Sequence, residues 1–449
     1  MGSGMPKTTP MAPPLWQQLQ ACAQALQSVL QGRNHAQALA PIDTGLRPGA
    51  QALLFAVLRQ WGRTLAIQKM LVQRPPSAAA NALLSTGLAL VVDEAQAMYP
   101  SHTLVSQLVE AAKHDPATKA QASFINACLR RFLRERQACM TATDSLPSAK
   151  WNLPDWWIQA IRKDHPQHWE SVLQASHVPA PMVLRVNTRQ TSREALQAKW
   201  SAVGIESVQT GEQGLVLKRA LPVHALPGFD QGQWSVQDAG AQLAAPLLLH
   251  GIQPQSGKAL RVLDACAAPG GKTAHLLELS DAQVLALDLD GLRCQRMGEN
   301  LRRLRLQAQV KVADAGDTAS WHDGQAFDAI LLDAPCTASG IVRRHPDIPW
   351  LRRASDLGSL AKQQKKLLQA LWPLLRPGGR MLYCTCSLFE QEGSAQVKAF
   401  LAHNTQARLL APSVQLIPGV SANRPEVLDN AFGEHDGFFY ALLERRADA

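Results

Sequence analysis

The sequence predicts an α/β protein, in which a Rossmann-like doubly wound domain follows an all-α domain and a small mixed α/β module. Three observations support this prediction. From about residue 236, near-continuous apolar strands alternate with amphipathic helices, which is typical of a parallel sheet with helices on both faces. Residues 15–140 space Leu, Val and Ala at helical intervals. Residues 151–235 combine a Trp-rich helical pattern with short strand-like runs such as VLRVN.

The N-terminal region predicts several helices, since its periodic segments are separated by short breaks that contain Pro or Gly, such as RPPS and HDPA. The segment 141–150 is polar and aperiodic, which predicts a linker. The length of 449 residues is enough for two or three domains. We therefore expect a helical domain at 15–140, a small α/β module at 151–235 and an α/β domain at 236–446.

The third region supplies the strands of the predicted sheet. The first strand is followed by a helix that begins at about Lys272, and the second strand by a helix that ends near Leu306. A third helix spans SDLGSLAKQQKKLLQALWPLL. The strand-like segments are LRVLDACA (260–267), VLALDLD (284–290), VKVADA (310–315), FDAILLDAPC (327–336), RMLYCTCS (380–387) and GFFYALLER (437–445).

The net charge suggests a polyanionic partner. The chain carries +9 at neutral pH and has a pI near 9.3. Residues 1–150 hold 14 Lys and Arg against 7 Asp and Glu, a net charge of +7. Several arginines cluster in LRRFLRER at 129–136. This cluster fits either a solvated helix face or a contact with RNA phosphates.

Several classes of protein are disfavoured. Eight scattered cysteines are too few for a disulfide framework, and they lack the spacing of metal ligands, so we expect reduced thiols and no metal site. No apolar run approaches the roughly 18 residues that span a bilayer. The N-terminus MGSGMPKTTPMAPP lacks the apolar core of a secretory signal. We expect a cytoplasmic protein, monomeric and without a membrane partner.

A ligand-binding loop is predicted between the first strand of the sheet and its helix. In LDACAAPGGKT, Gly270 and Gly271 let the backbone approach a ligand, and the helix N-terminus offers free amide donors. The loop has neither phosphate-loop nor GxGxxG spacing, which disfavours a nicotinamide cofactor. Asp288 ends the next strand, 17 residues after Gly271, near the spacing of a ribose-binding carboxylate. Asp314 and Asp333 end the following strands; one such Asp is often only a turn residue, but the set favours a ligand crevice.

Two cysteines are predicted beside this crevice. Cys336 in DAPCTASG (333–340) and Cys386 in YCTCS (383–387) each follow a strand. A thiolate is a strong nucleophile and a good leaving group, and nearby positive charge, for which Lys272 is a candidate, would favour it. By position alone, either thiol could attack a substrate. Cys384 should share a strand face with Cys386, and its role is left open.

These motifs resemble a known family. CAAPGGK at 266–272, DAPC with the downstream RRHPDIPW, and TCS resemble the RNA 5-methylcytosine methyltransferases of the NOL1/NOP2/Sun superfamily, above all the bacterial RsmB (Sun or Fmu) family. The segments RVN, VHALPGF and VQDAGAQLAAPLL resemble the parts of that family that precede the catalytic motifs. ALLFAVLRQWGR and INACLRRF resemble its NusB-like, RNA-binding helical domain.

The resemblance implies S-adenosylmethionine as cofactor and a cytosine of small-subunit ribosomal RNA as substrate. Asp288 would hold the ribose, Asp314 would lie near the adenine, and Asp333, with Lys272, would act near the sulfonium and the target base. Cys386 would be the nucleophile, and Cys336 would assist release of the product. The methionine end of the cofactor would lie in a cradle formed by Cys266, Ala267, Ala268, Pro269, Gly270, Gly271 and Lys272. Ala265 and Thr337–Ser339 depart from the usual family residues but leave the Asp, Pro and Cys in place.

Arg343, Arg344 and His345 follow the DAPC segment in a polar stretch that contains proline. A solvated loop is one interpretation, and a contact with RNA phosphates is the one we favour beside the active site of a basic protein.

Three other functions compete with this one. Methyltransferases that act on exocyclic amines transfer the group directly and need no thiol, so two cysteines at strand ends disfavour that class. A non-catalytic RNA-binding factor predicts a decayed cofactor loop or a lost cysteine, whereas both features are intact here. Transfer RNA in place of ribosomal RNA stays open, because the sequence does not define the surfaces that select the substrate.

Overall fold

The computed structural model of the 449-residue chain describes residues 13–94, 97–254, 258–420, 430 and 433–447. It divides into two compact units. The first comprises Met1–Gln159 together with the short segment His345–Arg352, and the second comprises Ala160–Arg344 and Arg353–Ala449. Most of the N-terminal segment MGSGMPKTTPMAPP, and with it the prediction that it is no secretory signal, lies outside the described residues.

The first unit is helical, as predicted. Its central helix, within the sequence AAANALLSTGLALVV, is apolar on all sides and is buried along most of its length. The helices are α1 (Leu15–Leu30), α2 (His35–Leu39), α3 (Arg47–Arg59), α4 (Trp61–Leu71), α5 (Ala78–Val92), α6 (Ser101–His114), α7 (Ala122–Asp144), α8 (Pro147–Lys150) and the first half of α9 (Asp155–Asp164). The central helix α5 packs against α1, α3, α4, α6 and α7.

The predicted linker at 141–150 is wrong, because α7 continues to Asp144 and α8 begins three residues later. The polar side chains that suggested a linker are held by the helices themselves. Thr143 is buried, and its hydroxyl donates to the Cys139 carbonyl oxygen at 2.9 Å. Arg63 of α4 donates to Asp144 at 2.7 Å. Tertiary contacts therefore stabilise a helical turn that lacks apolar periodicity.

The second unit begins with a small antiparallel sheet. Its strands are β1 (Val183–Val186), β2 (Ser207–Thr210), β3 (Gly214–Leu217) and β4 (Trp234–Val236), in the order β2-β3-β1-β4. Helices α10 (Trp169–Ala175) and α11 (Arg193–Ser201) accompany it. A cluster that includes Leu184, Trp200 and Trp234 forms its core. The boundaries predicted for the three domains stay predictions.

The large sheet has eight strands: β5 (Arg261–Asp264), β6 (Gln283–Asp288), β7 (Gln309–Val312), β8 (Phe327–Asp333), β9 (Leu375–Thr385), β10 (Ala407–Leu409), β11 (Val414–Leu416) and β12 (Phe438–Arg445). The order is β10-β12-β9-β8-β5-β6-β7, with β11 paired to β12. The five neighbouring strands β9, β8, β5, β6 and β7 are parallel, whereas β12 pairs with β9 in the antiparallel direction. The doubly wound α/β fold is confirmed, with an antiparallel extension at one edge.

Helices cover both faces of this sheet. One apolar cluster joins it to α12 (Ala244–Leu249), α13 (Gly271–Leu279) and α14 (Gly291–Leu304). A second apolar cluster joins the other face to α16 (Ala354–Leu371) and α17 (Ser394–His403). The short helix α15 (Ile348–Leu351), which precedes α16 in the sequence, belongs to the first unit. Among the described helices, none has the length and apolarity to cross a membrane.

Candidate active site

A cavity of about 320 Å³ opens at the carboxyl ends of the parallel strands. After β5 the chain continues to β6 and β7 on one side and returns to β8 on the other, so the strand order reverses between β5 and β8. Doubly wound sheets bind ligands at such a reversal. Each neighbouring strand end contributes to the lining, which includes Cys266, Ala268, Asp288, Arg293, Asp314, Asp333, Cys336 and Cys386.

The loop between β5 and α13 is shaped by a glycine with a left-handed backbone. Gly270 has φ of +91°, and a Cβ there would lie 2.5 Å from Cγ of Met297. Only glycine fits such a position without displacing its neighbour. Cys266 and Ala268 line the cavity, and the rest of the predicted cradle completes the same loop, namely Ala267, Pro269, Gly270 and Gly271.

Asp288, at the end of β6, connects this loop to the next turn. One carboxylate oxygen accepts a hydrogen bond from the backbone N–H of Ala268 at 3.1 Å, and the other accepts from that of Asp290 at 3.0 Å. The guanidinium of Arg293 lies 3.7 Å from the same carboxylate. Arg293 also donates to the Ala268 carbonyl oxygen. This arginine was not predicted from the sequence, because it lies at the start of a helix and follows no strand directly.

Lys272 and Asp333 form an ion pair beside the cavity, with Nζ 2.5 Å from Oδ2. Burial is the largest single influence and opposes the ammonium charge of Lys272, but the Asp333 carboxylate together with Cys384 and Cys386 raises the pKa of Lys272. The lysine therefore stays charged and presents a fixed positive charge near the two cysteines.

Asp314 lies beyond the end of β7, on the cavity wall. Its Oδ1 accepts a hydrogen bond from the N–H of Gly316 at 2.8 Å. Asp264, a residue not predicted from the sequence, ends β5 and is fully buried. Its Oδ2 accepts from the Thr273 hydroxyl at 2.6 Å, and burial raises its pKa to about 7. The signal was available, since Asp264 ends a strand just as Asp288 and Asp333 do.

The structure brings the two predicted cysteines together. Sγ of Cys336, after β8, lies 3.5 Å from Sγ of Cys386, which directly follows β9. Cys336 is buried, whereas Cys386 is partly exposed. The hydrogen bond with Cys386, followed by burial, raises the pKa of Cys336 well above that of an ordinary thiol. The site therefore places the neutral, buried thiol of Cys336 beside the more accessible thiol of Cys386.

Cys384 lies on the same sheet face as Cys386, as predicted, and both pack against the apolar cluster under that face. It is fully buried, and its Sγ lies 3.4 Å from Oδ1 of Asp333. Burial, and then the Asp333 charge, raise the pKa of Cys384. A protonated, inaccessible thiol is not suited to attack a substrate.

The three residues predicted to contact RNA have internal partners. Arg343 is 5% exposed, and its Nε donates to Asp436. Arg344 donates to Asp436 at 2.5 Å and to Asp238 at 2.8 Å. Both arginines are therefore held by internal partners, and their contacts with RNA phosphates stay predictions. His345 belongs to the first unit, where its ring stacks on His35 with centroids 5.2 Å apart.

The reversal of strand order and the cavity at that edge define a Rossmann-like α/β domain that binds a ligand at its strand ends, and solved structures share the fold. The crystal structure of PH0851 matches with a TM-score of 0.74 and 22% identity, over 96% of this chain and 99% of that one. The crystal structure of NSun6 from Pyrococcus horikoshii with SFG matches with a TM-score of 0.55 and 19% identity, over 66% of this chain and 99% of that one.

Sequence comparisons give the particular family. Residues 250–444 match the family described as 16S rRNA methyltransferase RsmB/F, and residues 153–224 match the ferredoxin-like domain of RsmF/B-like methyltransferases. Ribosomal RNA small subunit methyltransferase B of Vibrio cholerae is 38% identical over 439 residues, 95% of this chain and 97% of that protein. Its Pseudomonas putida counterpart is 40% identical over 436 residues, 94% and 97% of the two chains. This chain belongs to the RsmB/F methyltransferase family.

Proposed function

We propose that this protein transfers a methyl group from S-adenosylmethionine to carbon 5 of a cytosine in small-subunit ribosomal RNA, through a covalent adduct with Cys386. The observation that carries the chemistry is the pair of thiols, 3.5 Å apart, at the edge of a cavity suited to a cofactor. The RNA is inferred from the names of the relatives and from the basic charge of the chain.

The cavity lining fits this cofactor. It carries four carboxylates, those of Asp288, Asp290, Asp314 and Asp333, against the single guanidinium of Arg293. Such a lining suits a ligand with a cationic sulfonium and ribose hydroxyls. S-adenosylmethionine supplies an electrophilic methyl group when bound. The loop that contains Gly270 would hold its methionine end, with Asp288 at the ribose and Asp314 near the adenine.

Cys386 would start the reaction on the base. Carbon 5 of cytosine is a poor nucleophile, so the thiolate of Cys386 first adds to carbon 6, and the adduct places electron density on carbon 5. Lys272 interacts electrostatically with Cys386 and so supplies positive charge beside the attacking sulfur. Asp333, which orients the Lys272 ammonium at 2.5 Å, lies at the same cavity wall as the target base would.

Cys336 would assist the second half of the reaction. After methylation, a base removes the proton from carbon 5, and the Cys386 thiolate is expelled to leave 5-methylcytosine. Because its raised pKa keeps Cys336 protonated, this thiol can donate a hydrogen bond to the departing sulfur 3.5 Å away. Cys336 therefore supports release, and Cys386, the more exposed thiol, supports attack.

The first experiment incubates purified protein with tritiated S-adenosylmethionine and unmethylated small-subunit ribosomal RNA, and analyses the product nucleosides. Label in 5-methylcytosine is the expected result. Label that appears only when transfer RNA is supplied would contradict the substrate and keep the chemistry. Label in a cytosine methylated on its exocyclic amine would contradict the thiol mechanism, and no label on any RNA would favour a non-catalytic RNA-binding role.

A further inference from the structure

A buried carboxylate connects the two segments that carry the thiols. Glu392 ends a short helical turn, Glu390–Glu392, that follows Cys386 closely in sequence, and it is fully buried. It accepts hydrogen bonds from the Thr337 N–H at 2.9 Å and the Thr337 hydroxyl at 2.5 Å. It also accepts from the Ser387 hydroxyl at 2.6 Å. Thr337 directly follows Cys336, and Ser387 directly follows Cys386.

We propose that Glu392 is a positioning residue that clamps the Cys336 and Cys386 segments together and so sets the separation of their sulfur atoms. Its effect on catalysis rests on the function proposed above, whereas its effect on the thiol distance does not. The two thiols follow β8 and β9, which pair up to Asp333 and Cys384. Beyond that pair, the separation of the two segments depends on hydrogen bonds such as that from the Gly340 N–H to the Cys386 carbonyl oxygen at 2.9 Å, and on side-chain cross-links.

An ionised carboxylate suits this position because it is purely an acceptor, with room for several donors. Three donors come from the cysteine segments, and the side-chain amide of Gln364 in α16 adds a fourth at 3.2 Å. Burial raises the pKa of Glu392, while the hydrogen bonds from Ser387 and Thr337 lower it. A carboxylate kept at such a desolvation cost, among donors from both segments, is better explained by a positioning role than by filling space.

Further hydrogen bonds connect the same segments and make the clamp rigid. The backbone N–H of Leu388 donates to the Ser339 hydroxyl at 2.8 Å, and the hydroxyls of Ser339 and Ser387 lie 3.0 Å apart. The Tyr383 hydroxyl of β9 donates to the backbone oxygen of Glu392 at 2.7 Å. The Glu392 side chain contacts both segments directly. The Gln364 side chain supports it, since it donates to the Pro335 carbonyl oxygen at 2.9 Å and accepts from the Tyr383 hydroxyl at 3.2 Å.

The test measures how fast the two thiols can be joined. The full-length protein is treated with the oxidant diamide, which takes up two hydrogens as Cys336 and Cys386 form a disulfide, and peptide mass spectrometry follows the linked pair. We compare Glu392→Ala, Glu392→Gln and Ser387→Ala with the wild type. Glu390→Gln is the matched control, since it removes an exposed carboxylate from the same turn. Circular dichroism and thermal unfolding confirm that each variant is folded.

We expect Glu392→Ala to slow disulfide formation about tenfold or more, since several charge-assisted hydrogen bonds are lost together. Glu392→Gln keeps one acceptor oxygen, so its rate of disulfide formation should be intermediate. Ser387→Ala removes one donor only and should slow the reaction least. The electrostatic effect has the opposite sign, because the Glu392 charge raises the pKa of Cys336 and its removal eases thiolate formation. A slower reaction can therefore be assigned to lost geometry.

Methyl transfer gives the second readout. A displacement near 1 Å can cost about 100-fold in rate, so kcat should fall in Glu392→Ala while KM for S-adenosylmethionine changes little. Disulfide formation at the wild-type rate in both Glu392→Gln and Glu392→Ala would overturn the inference. If Glu392→Ala does not fold, Glu392→Gln and Ser387→Ala decide by the same criterion. If the Glu392 variants form the disulfide slowly but the wild-type protein methylates no RNA, the positioning role of Glu392 stands and only the proposed function is rejected.

Discussion

The cavity contains two partly exposed thiols, Cys266 and Cys386, whose surroundings differ in charge. Cys266 lies in the loop after β5, where burial and then the carboxylates of Asp333 and Asp264 raise its pKa. Cys386 lies at the end of β9, where it interacts with the positive charge of Lys272. The same residue type in one cavity thus faces anions on one side and a cation on the other. We therefore expect the neighbouring charges to decide which thiol reacts, and the loop after β5 to bind its ligand through the backbone.

The largest expected effect is that of Cys386→Ala. Because removal of a nucleophile removes the whole covalent pathway, methyl transfer should fall by on the order of 10⁴-fold or more. Binding of S-adenosylmethionine should survive, since the loop that contains Gly270 is untouched. Isothermal calorimetry measures the binding, and incorporation of tritium into RNA measures the rate. Unchanged methylation by this variant would reject Cys386 as the nucleophile.

Cys336→Ala should also stop turnover, but after the adduct has formed. Without the neutral thiol beside the departing sulfur, the protein should remain covalently bound to RNA, as a band that survives denaturing electrophoresis. The band should require both substrate RNA and cofactor. A double variant that also carries Cys386→Ala is the control and should show no band. Absence of the band in the single variant would count against a role of Cys336 in release.

Gly270→Ala tests whether the loop after β5 depends on the left-handed backbone of its glycine. A left-handed conformation costs a residue with a Cβ about 1–2 kcal/mol, and here that Cβ would also press on Met297. We expect a lower melting temperature and weaker binding of S-adenosylmethionine. Gly298→Ala is the matched control, because a Cβ there meets no atom within 4 Å and the residue lies in α14. Equal melting temperatures and affinities for the two variants would contradict the requirement for glycine.

The smallest effect is expected for Cys266→Ala. If the loop binds through its backbone, loss of this thiol should change the rate and the affinity about twofold at most, the range of an ordinary substitution away from special features. The variant is also the matched control for Cys386→Ala, because both remove one partly exposed sulfur from one cavity. A loss comparable to that of Cys386→Ala would show that the anionic side also takes part in the chemistry.

The fold and the position of the site were predictable because they depend on local signals. Parallel strands place their carboxyl ends at one edge, so motifs that end strands, such as those with Asp288 and Asp333, had to meet there. Glu392 was not predictable, because its partner Thr337 lies 55 residues away in sequence. The contact of Arg343 with Asp436 was not predictable for the same reason, since the two residues lie 93 positions apart. The roles of the two cysteines and of the cofactor-loop residues stay predictions.

The helical unit is built from two separate stretches of the chain, which limits where the chain can be cut into fragments that fold. His345–Arg352 is grouped with the helices, although it follows the Cys336 segment in sequence. There the Asp347 carboxylate accepts from the N–H of His35 at 2.8 Å, and Trp350 and Leu351 pack against the helical core. A fragment cut anywhere near residue 159 would lack part of its own core, and the remaining fragment would carry an orphaned apolar segment. Domain swaps between relatives should therefore exchange residues 345–352 together with the N-terminal helices.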